Sequence, residues 1–387
     1  MPDIYEELGV RPVLNAQGNR TLLGGSTPSP AVRELMDAMG EYYVDLGELM
    51  DAVGVKISEM LGVERSLVTS GCSAALAVGA AACMTGDDPA KIKRIPDVTG
   101  MPDEFIIQRQ LRVRYDRCMT IPGGKLVEIG NDQGTTEEDL EAAIGPKTAG
   151  VHYLAPGTQP GALSIEEVIR VAHSHNVPVI VDAAGQVYPT DLLSKYVKMG
   201  ADLVAYGAKY FGAVNSSGIL TGRGDLVDIA RKHSFIGFEA ADSDSFGRPM
   251  KVDRQEVAGV YAALREWLTT NHEDRFEAYE VRIAALQANL ETLPHIELAR
   301  HSNPPGTPAE GLLVHLDSQT LGKTAIDVVN ELKAGNPSIW VRSPNARPDD
   351  YPEGQNSFVI RMPTLKEGGE KVIAQRLREI LAVAGSS

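Results

Sequence analysis

The sequence is short of cysteine, short of positive charge and without any long apolar run. Its three cysteines, Cys72, Cys83 and Cys118, form neither a disulfide framework nor a metal-ligand pattern. No metal is therefore expected, and a reduced, cytoplasmic setting is. A bilayer-crossing helix needs about 20 consecutive apolar residues. No stretch reaches that, so no membrane partner is expected. The first residues, MPDIYEELGVRPVLNAQG, lack a basic segment followed by an apolar one, so no secretory leader is expected. The formal charge of −15 argues against nucleic acid as a partner. Internal repeats and low-complexity tracts are absent as well.

What is present reads as a soluble globular chain. It has 387 residues, 43% hydrophobic and 23% charged, which predicts one large and one small lobe. Strands and helices alternate from Ser66 to Gly222. That order predicts an α/β fold with a largely parallel sheet covered by helices on both faces. Asp253 to Leu293 reads as a long helical spine. Beyond it, short strands (Leu312 to Leu316, Ile339 to Arg342, Phe358 to Arg361) alternate with helices in the manner of a small α+β lobe. The expected boundaries are an N-terminal arm over residues 1–30, a large domain over 31–265 and a small C-terminal domain over 266–387.

The organising stretch is ADLVAYGAKYFGAVNSSGILTG, from Ala201 to Gly222. Lys209 stands alone at the end of an apolar strand, among residues too small to cover it. A lysine in a dry, crowded place has its ammonium form disfavoured, which makes the amine nucleophilic. Upstream, SLVTSGCSAAL is a brief strand followed by small residues and an Ala-rich helix. Its start, Thr69 to Ser73, reads equally as a phosphate site on free N–H groups or as a plain helix cap. In VPVIVDAAGQ, Val177 to Val181 is a buried central strand, and Asp182 sits at its carboxyl end, where ligands gather in open α/β sheets. Ala183, Ala184 and Gly185 leave room there for a flat molecule. The arm brings Asn15, Gln17, Asn19 and Thr21 together as candidate pocket-lining groups. Arg109, Arg112 and Arg114 read either as an anion-holding cluster or as a solvated face. His173 and His175 read as helix-terminal residues rather than ligands.

A helix start, an aspartate at a strand end and a lysine between two strands are the three partners that pyridoxal 5′-phosphate needs, for its phosphate, its ring nitrogen and its aldehyde. The sequence resembles the fold-type-I pyridoxal-phosphate enzymes. Within them it resembles the branch containing D-glucosaminate-6-phosphate ammonia-lyase and selenocysteine synthase (L-seryl-tRNA(Sec) selenium transferase). The resemblance rests on LGVRPVLNAQGNRTLLGGS, VTSGCSAAL, DDPAKIKRIPD, IIQRQLRVRYD, NVPVIVDAAGQ, ADLVAYGAKYFGAVNSSGIL and GRPMKVDRQEVAGVYAAL. It implies a large domain built on a mostly parallel seven-stranded sheet. It implies that Lys209 carries the Schiff base and that Asp182 pairs with the ring nitrogen beside Ala184. By the same resemblance Gly71, Cys72 and Ser73 bind the phosphate, and Ser217 assists from a neighbouring subunit of a homodimer or higher homo-oligomer. Several positions depart from the family pattern: Tyr206 for a serine, Ala213-Val214 for Gly-Pro, and Leu111 for a histidine. A substrate different from those of the named relatives fits these departures.

The implied activity is that of a lyase. Through a Lys209 aldimine and Cα deprotonation, water and ammonia would leave a small-molecule hydroxylated amino acid or amino sugar acid to give a 2-oxo acid. A carboxylate substrate needs a cation, preferably arginine. The candidates are Arg342 and Arg361 in the small lobe, with Arg248 and Lys251 as others. Racemase, epimerase, aldolase or transaminase chemistry uses the same cofactor and remains the alternative. A selenium transferase would need a basic surface for tRNA, which the acidic composition does not offer.

Overall fold

A computed structural model of the chain describes residues 3–241, 243–343 and 356–384. Among these residues the strands are β1 (Val13–Ala16), β2 (Arg65–Thr69), β3 (Glu104–Gln108), β4 (Lys125–Ile129), β5 (Thr148–Leu154), β6 (Val179–Asp182), β7 (Leu203–Gly207), β8 (Gly218–Gly222), β9 (Ile296–His301), β10 (Gly311–Leu316), β11 (Ser338–Val341) and β12 (Ser357–Arg361). The chain divides into two compact units, Ser26–Thr269 and a second made of Met1–Gly25 with Thr270–Ser387.

The larger unit holds a seven-stranded sheet in the order β2-β8-β7-β6-β5-β3-β4. Only β8 runs against the others. The central strands β6, β7 and β8 are buried at every position, as expected of a sheet covered on both faces. The helix Cys72–Thr85 is apolar all round and lies in the core. Its alanines and Gly79 allow this: a side chain at Gly79 would stand 3.3 Å from Leu203 Cδ1. The surface helix Ile165–Ser174 buries only its Ile165, Val168, Ile169, Val171 and Ala172 stripe. Capping boxes close two helix starts, Thr136 with Asp139 and Ser164 with Glu167.

In the smaller unit, β10 is flanked antiparallel by β12 and β9. The arm contributes β1, which pairs parallel with β11. Helices Ala325–Ala334 and Gly369–Ala384 bury Val328, Val329, Leu332, Ile373, Leu377 and Ile380 in this unit's core. The expected spine is two helices, Arg254–Thr269 and His272–Leu290. Asn271 breaks it by accepting a hydrogen bond from the Glu273 N–H at 3.1 Å and so capping a new helix. No helix of the described residues is long and apolar enough to cross a membrane.

Candidate active site

Strands β2, β6 and β7 are parallel, so their carboxyl ends lie on one edge of the sheet. Each delivers one part of the site. Asp182 closes β6 and pairs in register with Ala205 of β7. It is 5% exposed, so the carboxylate is held almost out of water. Its Oδ1 accepts from the Ala184 N–H at 3.0 Å, which fixes the turn after the strand. The Gly207 N–H donates to the Ala184 carbonyl at 3.0 Å, tying that turn to the end of β7.

Lys209 follows two residues later, in a short turn of 3₁₀ helix from Ala208 to Phe211. It is half-buried rather than sealed. Its Nζ stands 5.3 Å from the centroid of the Tyr210 ring, within reach of a cation–π contact. The Tyr210 ring in turn faces Gly185 and Gly207, where an added side chain would stand 3.5 Å and 3.2 Å from ring carbons. Tyr210 was not among the residues anticipated from sequence; its place next to Lys209 was the only signal.

The third part is the start of the helix after β2. Gly71 is its N-cap, at φ 87°, and no side chain caps it. Thr69 turns its hydroxyl to the Gly71 carbonyl at 3.0 Å instead. Of the two readings left open by the sequence, the plain cap therefore fails, and the first N–H groups of a 14-residue helix remain for an anion. Cys72 points its sulfur at Asp182, 3.5 Å from Oδ1. Ser73 faces the thiol of Cys118. Ser217 is buried and donates to the Val214 carbonyl at 2.8 Å.

A buried histidine, His152 on β5, sits in the strand next to β6 and pairs with Ile180. Burial pushes its pKa down, against the pull of Asp182 and Asp116. Neither ring nitrogen has a hydrogen-bond partner of good geometry among the described residues. A lone histidine inside the apolar run TAGVHYL was the signal for it, and the sequence reading passed over it.

The candidate substrate residues fall in both units. In the larger, Arg248 is ion-paired with Glu239 and Lys251 is exposed. Arg109 and Arg112 are both paired with Glu128, Arg112 also with Asp116 at 2.6 Å, which explains the cluster without a ligand. His173 is bound to Asp202 at 2.9 Å. In the smaller unit, the side chain of Asn15 braces its own turn, donating to the Gly18 carbonyl at 3.1 Å and accepting from the Gln17 N–H at 2.9 Å. Thr21 is exposed. Arg342 follows β11 and its backbone pairs with Val359. Arg361 ends β12, ion-paired with Glu310 and packed against Gly18.

The profile of the family described as Aminotransferase class-V matches residues 113–329. The chain belongs to this family. It is 31% identical, over 99% of its length, to a 5'-C-glycyluridine monooxygenase-decarboxylase from a Streptomyces species, covering 93% of that protein. It is 30% identical, over 98% of its length, to the D-glucosaminate-6-phosphate ammonia lyase of Salmonella typhimurium, covering 98% of that protein. A solved structure of D-glucosaminate-6-phosphate ammonia-lyase superposes with a TM-score of 0.84 at 29% identity, over 100% of both chains. The fold is that of the fold-type-I enzymes, and the chain is an enzyme whose cofactor is pyridoxal 5′-phosphate. The residues fit that group: an uncapped helix start suits its phosphate, and a buried carboxylate whose two hydrogen bonds among the described residues fall on one oxygen suits its ring nitrogen.

Proposed function

We propose that the protein is an ammonia-lyase that removes the amino group of a hydroxylated amino acid or amino sugar acid and yields a 2-oxo acid. The observation that carries this reading is the pairing of Asp182 with Ala205, which brings the carboxylate to the strand next to the one that leads into Lys209. It is supported by full-length similarity to a D-glucosaminate-6-phosphate ammonia lyase. Bound at this edge, pyridoxal 5′-phosphate supplies an aldehyde for an amine and a ring that withdraws electrons from the substrate Cα.

The chain supplies the rest. Lys209 would offer the amine that anchors the cofactor and a base for the Cα proton. Asp182 would hold a proton on the ring nitrogen. The backbone N–H groups at Cys72 to Ala74 would hold the phosphate. Arg248 and Lys251, in the same unit as Lys209, are the candidate cations for the substrate carboxylate. Loss of the Cα proton and of the β-hydroxyl as water leaves an enamine, and its hydrolysis gives ammonia and the 2-oxo acid. Water leaves once and enters once, so ammonia is the net product.

A second reading follows from the equally extensive similarity to a monooxygenase-decarboxylase. There the bond broken at Cα would be the one to the carboxylate, with dioxygen consumed. One experiment separates the two. Purified enzyme is incubated with D- and L-β-hydroxy amino acids and amino sugar acids, and products are assayed. Ammonia with a 2-oxo acid and no gas exchange supports the lyase. Carbon dioxide release with oxygen uptake supports the second reading. Stereochemical exchange without ammonia, or aldehyde release, overturns both in favour of a racemase or an aldolase.

We also infer a homo-oligomer. The loop before helix Leu46–Leu61 exposes Tyr42 at 75% and Tyr43 at 93%, next to exposed Val44, an apolar patch suited to a second copy. A monomeric mass by light scattering would count against it. The free thiols at Cys72, Cys83 and Cys118 favour a cytoplasmic setting, which cell fractionation checks.

A further inference from the structure

We propose that Cys72 is a positioning residue for the ring-nitrogen aspartate: its thiol donates to Asp182 Oδ1, shares that oxygen with the Ala184 N–H, and so turns Oδ2 toward the cofactor ring. The inference rests on the cofactor reading above but assigns a role that the cofactor reading does not contain.

The geometry is direct. Cys72 is the first residue of the helix Cys72–Thr85, and its sulfur reaches Asp182 across the end of β6. The Ala184 N–H donates to the same oxygen at 3.0 Å. Both hydrogen bonds that Asp182 accepts among the described residues therefore end on Oδ1. A carboxylate pinned by two donors on one oxygen cannot rotate without breaking both, so the orientation of the other oxygen is set before any ligand arrives.

The thiol must stay protonated to act this way. A cysteine at a helix N-terminus is ordinarily acidified by the free N–H groups. Cys72 is half-buried at such a start, and burial pushes its thiol pKa well above the usual range, with the Asp182 charge adding to the push. Lys209 pulls the other way and is the weakest of these influences. Around the pair, burial raises the Cys118 thiol and lowers the His152 ring, while Asp116 acts on both. His152 is thereby kept neutral. Its ring makes no hydrogen bond to the carboxylate, so the proton donors on Asp182 are one amide and one thiol.

The test compares Cys72→Ala and Cys72→Ser with wild type in three ways. A thiol–carboxylate bond lost without replacement should weaken cofactor binding about two- to tenfold and move the pH midpoint of the holoenzyme's visible band upward by roughly 0.4 to 1. Cys72→Ser keeps a donor and should return both values most of the way. The third readout needs no cofactor. In the full-length Asp182→Asn protein, stripped of cofactor alongside wild type, Cys72 should be alkylated by iodoacetamide several-fold faster at pH 8, because the charge that holds its proton is gone. Alanine and serine variants impaired to the same degree would make Cys72 a packing residue and overturn the inference. So would an unchanged midpoint and affinity in Cys72→Ala, or an unchanged alkylation rate in Asp182→Asn. A wild type that takes up no cofactor would instead fell the cofactor reading itself.

Discussion

Gly218 of β8 passes so close to Gly71 that a side-chain carbon added to it would stand 2.5 Å from the Gly71 carbonyl carbon and 2.7 Å from the Cys72 nitrogen. Both are backbone atoms, so neither can swing away. The strand and the helix start are in contact because position 218 carries no Cβ. Gly218→Ala should push the helix start off its place. We expect the variant to fold with stability lowered by about 1 to 3 kcal/mol and to bind cofactor at least tenfold more weakly. Denaturant unfolding and absorbance titration with pyridoxal 5′-phosphate measure the two separately.

Lys209 and Asp182 make a paired prediction. Lys209→Ala should abolish the absorbance band of the lysine-bound cofactor and lower turnover by at least about a thousandfold, since it removes both an anchor and a base. Asp182→Asn should keep the lysine-bound band, because the amine is intact, while turnover falls by at least about a hundredfold as the ring loses its charge partner. A Lys209→Ala protein that retained both the band and the activity would displace the site from this edge of the sheet.

The two lobes differ in how much of them could be read in advance. The continuous apolar run Val177 to Val181 announced a central strand, and β6 stops at Asp182, where that run ends. Lys209 was legible as one charge among small residues. The contact of Cys72 with Asp182 was not legible. A helix start looks the same whichever way its first side chain turns, and only the distance to a strand 110 residues later decides it. The pairing of β1 with β11 was hidden likewise, since four residues of an arm rich in Gly and Asn carry no period of their own. The break at Asn271 lies inside a stretch whose helical pattern continues across it, and only the capping bond separates the two helices.

Arg361 and Glu310 form an ion pair in which both side chains are nearly buried, at 13% and 12% exposure. Breaking a buried pair strands the remaining charge, at a cost of about 3 to 5 kcal/mol. Arg361→Ala should therefore destabilise the smaller unit by about that amount. Glu310→Gln keeps Arg361 and a hydrogen-bonding partner, so its thermal midpoint should drop less than that of Arg361→Ala. Thermal unfolding of both variants measures this, and a midpoint unchanged in Arg361→Ala would show that the pair does not hold the unit together.

His233 gives the clearest dependence of stability on pH. It is fully buried, its Nε2 is 2.8 Å from the Thr85 hydroxyl, and Phe246 packs beside the ring at a centroid distance of 5.8 Å. Burial pushes its pKa down from 6.5 to about 4. The folded chain therefore binds this proton less readily than the unfolded chain does. Between those two values the unfolded state carries more protons, so stability rises with pH through the window and levels off above 6.5. The full difference is about 3 kcal/mol, by the conversion of roughly 1.4 kcal/mol for each pH unit. Acidification from pH 7 toward 4 should remove that amount progressively from the unfolding free energy of the wild type. His233→Gln can still reach Thr85 and has no proton to gain, so its stability should fall less over the same range, whatever its value at pH 7. Urea unfolding of both proteins at pH 7, 6, 5 and 4 measures the difference, and parallel curves would show that His233 is not the group responsible.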